Sequence, residues 1–128
     1  MKKYKKKITL KVNENNDIDS IIELFQRFGK KYNIITTTLP HNIQYETKNI
    51  KITQTYTTTI EKTELNKMIT KLQKEDKIAL IIIDNQKKKN NTLVNDKIKK
   101  LKSLENVKIR KIKEKDTFKT LDNIIKEA

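Results

Sequence analysis

"NIITTTLPHNIQYETKNIKITQTYTTTIEK" (residues 33–62) holds the chain's only proline, Pro40, and its only histidine, His41. From Ile50 to Ile60 the apolar Ile50, Ile52, Tyr56 and Ile60 are set against Lys51, Thr53, Thr55, Thr57 and Thr59, the pattern of a strand with one apolar and one polar face. "HNIQYE" (41–46) is the expected partner strand. Pro40 cannot donate to a ladder and suits the entrance of a hairpin. Such a ribbon is barely stable alone in water, so what supports it decides the fold.

The flanks read as ordinary elements. "ITLKV" (8–12) alternates as a half-buried strand, and Asp17 or Asp19 can cap a helix whose inward face is Ile18, Ile21, Ile22, Leu24, Phe25 and Phe28. Gly29, the only glycine, stands where a left-handed C-cap residue belongs. A strand follows over 33–39. After the ribbon, residues 62–75 place Leu65, Met68, Ile69 and Leu72 at helical spacing, with Thr58 and Glu61 as a capping box. "KIALIIID" (77–84) is a two-sided strand and "NQKKKNN" (85–91) a solvated loop. A helix from Thr92 turns Val94, Ile98, Leu101 and Leu104 inward, "VKIRKI" (107–112) is a strand, and a last amphipathic helix is capped by Asp116 or Thr117.

The 128 residues carry 30 Lys and Arg against 16 Asp and Glu, a formal charge of +14, which points to a polyanionic partner. Only Arg27 and Arg110 are arginine, so point-charge contact with backbone is expected over bidentate reading of base edges. The wealth of Lys, Asn, Ile and Thr also matches an AT-rich genome. Cysteine is absent, which excludes a disulfide framework and thiolate chemistry. No apolar run approaches the ~18 residues of a membrane span. One histidine excludes a two-histidine metal site, one glycine excludes a phosphate-cradling loop, and capping accounts for Glu14, Asp17 and Asp19. No enzyme, cofactor or metal is expected.

The order of parts resembles the universal small-subunit ribosomal protein ten family: "ITLKV", a helix ending "QRFG", a strand running into Leu39-Pro40, a long hairpin, a strand ending at Asp84, a "TLV" helix, then "LENVKI". The likeness spans about residues 6–112. The approach to the hairpin, "IITTTLPH", lacks the family's glycine and first proline, and "TYTTT" replaces a Ser-Pro-His turn. The resemblance implies an α+β, ferredoxin-like βαββαβ core over 1–112. It implies a protruding hairpin with a helix inserted at about 40–76, the 92–104 helix as the second core helix, and residues 113–128 as an added amphipathic helix. It further implies a structural component of the small-subunit head, without membrane contact or homo-oligomer; the AT-rich composition and the added helix fit an organellar, mitochondrial ribosome, or otherwise a cytoplasmic one.

The expected RNA contacts are Lys2, Lys3, Lys5, Lys6, Lys7, Lys11, His41, Lys48, Lys51, Lys87, Lys88 and Lys89. Tyr56, Phe118, Leu121 and Ile125 are expected to dock a neighbouring ribosomal protein, although the face built from Phe118, Leu121, Ile124 and Ile125 equally suits its own sheet. The rival is a freestanding basic nucleic-acid-binding or protein-interaction domain of a phage or mobile element.

Overall fold

The computed structural model describes residues 7–87 and 91–128. The elements are β1 (Thr9–Asn13), α1 (Ile18–Phe28), β2 (Asn33–Thr37), β3 (Tyr45–Glu46), β4 (Lys51–Tyr56), α2 (Thr57–Lys62), α3 (Leu65–Gln73), β5 (Ile78–Ile83), α4 (Thr92–Lys102), β6 (Val107–Ile112) and α5 (Thr117–Glu127). They build a mixed α/β architecture around one six-stranded sheet of order β2-β1-β3-β4-β5-β6. β1–β2, β4–β5 and β5–β6 pair in parallel; only β3 runs against its neighbours.

β5 is the spine. All six residues of "IALIII" are buried, because a parallel strand covered on both faces has no polar side. Ala79, Ile81 and Ile83 join Leu10, Val12 and Ile52 beneath α1 and α5. Ile78, Leu80 and Ile82 face α2, α3 and α4 through Ile60, Leu72, Val94, Ile98 and Leu101. That second helical layer stops short of β1 and β2, where Lys11 and Ile35 pair across the strands and stay exposed.

The ferredoxin-like arrangement is not confirmed. In it an antiparallel strand separates the first two strands, whereas here β1 and β2 pair directly from Thr9↔Asn33 to Asn13↔Thr37. The hairpin is present but short, and it is absorbed into the sheet centre: Tyr45 pairs with Val12 and Ile52, and all three are buried. The polar face of the expected ribbon ends early, since Thr57–Lys62 is helix, with no side chain capping its start. Ile60 follows Tyr56 by four residues, a spacing that serves a helix as well as a strand. The expected helix at 62–75 is α3, over Leu65–Gln73, and α2 precedes it where strand was expected.

Two further expectations change, and one left open is decided. Ile18, Ile22 and Phe25 are exposed by 66, 49 and 42%, leaving Ile21, Leu24 and Phe28 as the inward face of α1. Gly29 has φ −60°, not a left-handed value. A Cβ there would lie 2.6 Å from the Phe25 carbonyl oxygen, so close approach of backbone explains the glycine. α5 packs on its own sheet, with Leu121, Ile124 and Ile125 no more than 2% exposed, so residues 113–128 complete the core.

Candidate nucleic-acid interface

The residues expected to meet RNA do not converge. Lys7 opens β1 and Lys48 and Lys51 flank the β3–β4 turn, all at one end of the sheet. His41 follows β2 and Lys87 follows β5, at the opposite end. Five or six residues of strand, roughly 17–20 Å, separate the two groups. Lys11 lies mid-strand on the open face. Lys2, Lys3, Lys5, Lys6, Lys88 and Lys89 fall outside the described residues.

The hairpin lysines are partly neutralised. Lys51 Nζ donates to Glu75 at 2.6 Å, a bond that raises its pKa, and Glu46 is the cross-strand neighbour of both Lys11 and Lys51. A cleft of about 230 Å³ beside them is lined by Glu46, Lys48, Lys51, Lys74, Glu75, Asp76 and Lys77. Mixed charge of this kind attracts no polyanion strongly.

Of the residues expected to dock a protein, Leu121 and Ile125 are consumed by the core. Tyr56 and Phe118 instead line a cleft of about 390 Å³ between α1 and α5, with Glu23, Arg27, Tyr45 and Gln54. The Arg27 guanidinium stands 4.8 Å from the Phe118 ring centroid. Burial pushes the Tyr45 phenol up to about 12, and Gln54 Oε1 is buried without a hydrogen-bond partner among the described residues. This cleft too is balanced in charge.

The net charge lies elsewhere. Residues 85–115 carry twelve Lys or Arg against three Asp or Glu, an excess of nine; residues 1–7 carry five Lys and no acid; the rest of the chain holds thirteen of each sign. Lys87 follows β5, and residues 91–115 are the start of α4, α4 itself, the edge strand β6 and the turn beyond it, so seven of the fourteen net positive charges occupy one flank of the sheet, Lys88 and Lys89 lying outside the described residues. Burying Val94, Ile98 and Leu101 turns Lys99, Lys100 and Lys102 outward, and burying Val107 and Ile109 leaves Lys111 exposed on the same face. Lys113 and Lys115 are exposed just beyond. None of these six forms an ion pair among the described residues.

Other lysines of the flank are structural. Lys97 Nζ donates to the carbonyls of Ile60, Glu61 and Thr63 at 3.0, 3.0 and 2.9 Å, closing the end of α2. Glu127 of α5 accepts from Lys108 and, at 3.3 Å, from Arg110. The rest have lesser structural uses: lysines suit a helix C-terminus, and an edge strand carrying lysine resists edge-to-edge pairing. An excess of nine positive charges is more than either use requires. Net charge counted by segment, rather than by lysine runs, is the signal that finds this flank.

Among the described residues no three His, Asp or Glu side chains cluster to hold a metal ion, and no helix is long and apolar enough to cross a membrane. No protein-family model matches the chain, and no curated protein matches it.

Proposed function

We propose that the protein is a self-contained basic domain that binds nucleic acid through its phosphate backbone along the α4–β6 flank, without catalysing a reaction. The segregation of the whole net charge into residues 1–7 and 85–115 carries this reading. Lysine supplies point charges to phosphate, and each neutralised phosphate releases counterions. Binding should therefore be strong at low salt and largely indifferent to base sequence.

Titration of the whole protein against fluorescent single- and double-stranded RNA and DNA, over a range of salt, tests the reading. Replacing Lys99, Lys100, Lys102 and Lys111 together by Gln should cut affinity at least tenfold and flatten the salt slope by roughly three to four contacts' worth. The same change at Lys48 and Lys51 should matter little. Equal loss from both sets would place the binding on diffuse charge and sink the flank.

A second reading is a structural part of the small ribosomal subunit, mitochondrial if organellar, which the dominance of lysine over arginine and the family resemblance favour. It carries with it a ferredoxin-like core and a hairpin reaching outward; the short β3 and the buried Tyr45 and Ile52 weigh against both. Co-sedimentation with the small subunit through moderate salt would favour it. Persistence among free soluble proteins would leave the self-contained domain.

A further inference from the structure

β2 is the sheet edge away from the basic flank. Asn33 N–H donates to the Ile8 carbonyl and Thr37 carbonyl accepts from Glu14 N–H, each at 2.9 Å, so residues 33, 35 and 37 turn their backbone groups toward β1. Ile34 and Thr36 turn theirs outward, away from any strand of the sheet. Residues 33–40 contain no lysine, arginine, aspartate or glutamate, so the edge lacks the charge that usually protects such a strand.

The helix above this edge is equally unprotected. Ile18, Ile22 and Phe25 form a stripe at i, i+4, i+7 on α1, exposed by 66, 49 and 42%. The buried face is Ile21, Leu24 and Phe28, and Glu23 and Arg27 look toward Phe118 of α5. The stripe is therefore on the flank of α1 away from α5, over β2, where Phe25 and Ile34 share a surface hollow. Ile8 and Ile35 stand on the same edge, Ile35 on the sheet's other face, so five of the seven large exposed apolar residues among those described belong to it.

We infer that a second copy of this chain covers the edge, β2 pairing antiparallel with its own counterpart about a two-fold axis near Ile35. Charge selects this occupant. The start of α1 is acidic (Glu14, Asp17, Asp19) and its end basic (Arg27, Lys30, Lys31). The two-fold lays each apolar stripe against the other and sets the acidic start of one α1 beside the basic end of its partner. Residues 8–40 hold four charges of each sign, Lys7 adds one positive charge at the hollow of Phe25 and Ile34, and the basic β6 flanks end up at the two far ends of the joined sheet, where repulsion is least. The family resemblance implies a chain that does not self-associate; the +14 charge opposes association less because so little of it lies at this edge.

Sedimentation equilibrium of the full chain tests this. A mass of twice 15.2 kDa is expected at micromolar concentration. Ile22→Lys, at an exposed site, should weaken association at least tenfold with an unchanged melting curve. Asp19→Lys and Lys30→Asp should each weaken it, and the double swap should restore it, which a merely destabilised fold would not do. The protein has no cysteine, so Ile35→Cys supplies a lone thiol that should oxidise to a disulfide-linked dimer. A single 15.2-kDa species up to about 100 μM, or a dimer indifferent to Ile22→Lys, overturns the inference.

Discussion

The Asn13 side chain donates from Nδ2 to the Ile43 carbonyl at 2.8 Å, joining the end of β1 to a loop 30 residues away. The same nitrogen lies 3.2 Å from the Leu39 carbonyl and 3.1 Å from that of Pro40, and Oδ1 accepts from Asn15 N–H at 3.2 Å. One buried amide thus fixes the crossing from β2 to β3, which is why Pro40 sits in a pinned loop rather than at the mouth of a free ribbon.

Asn13→Ala removes the donor to the Ile43 and Leu39 carbonyls, while that of Pro40 keeps the bond from Ile43 N–H at 2.9 Å. Its expected cost is about 2–3 kcal/mol, the penalty of leaving buried polar groups unmade. Urea unfolding should show a lower midpoint at unchanged slope. A loss below ~0.5 kcal/mol, the range of an ordinary surface change, would mean the loop is held by other contacts.

Lys97 and Lys100 stand on the same helix and should behave oppositely. Lys97→Met removes the donor to the carbonyls of Ile60, Glu61 and Thr63 at the end of α2 and should cost about 1–2 kcal/mol of stability. Lys100→Met should stay within ~0.5 kcal/mol. Nucleic-acid affinity, read by fluorescence anisotropy, should fall for Lys100→Met more than for Lys97→Met. Parallel effects in both assays would refute the division into structural and binding lysines.

Gly29→Ala should destabilise although φ is an ordinary −60°. The new Cβ meets the Phe25 carbonyl oxygen at 2.6 Å, against the bond that oxygen accepts from Gly29 N–H at 2.9 Å. About 1–3 kcal/mol is expected, as for other overpacked sites. Gly29→Asn should be no better, whereas a left-handed glycine would tolerate asparagine. Thermal unfolding of the two variants decides.

Stability should fall at both ends of the pH scale. Burial raises the Tyr45 phenol from 10.0 to about 12. That contribution is fully present below pH 10, lost as pH rises toward 12, and worth about 2–3 kcal/mol. Tyr45→Phe should flatten the alkaline limb. At the acid end, burial alone would raise the Asp122 carboxyl, but bonds from Lys31, Tyr32 and Lys126 outweigh it and hold the pKa below its ordinary 3.8. Its contribution is complete above 3.8 and drains away as pH falls further, so Asp122→Asn should remove part of the acid slope. Urea midpoints across pH give both slopes.

The candidate interface was half legible. Lys87 was marked by its run, but Lys99, Lys100, Lys102 and Lys111 are scattered among core positions and look like ordinary solvated lysines. They become one surface only because α4 and β6 share a flank. Lys48 and Lys51 read as contacts on a free ribbon; the fold sets Glu46 and Glu75 beside Lys51.

The sequence by itself determined the local elements whose apolar spacing admits one reading. β5 follows from a run buried through the pleat, β6 from its alternation, α4 from Val94, Ile98 and Leu101, and the start of α1 from a capping aspartate, of which Asp17 is the one that accepts from Ser20 N–H at 3.3 Å. Each is decided by forces acting within a few residues. Only the tertiary structure decided that β1 pairs with β2, that Thr57–Lys62 coils instead of extending, that α5 closes the core, and which flank of α1 stays bare. Those outcomes depend on which distant surface is nearest, and an apolar periodicity specifies that a face must be covered without specifying by what.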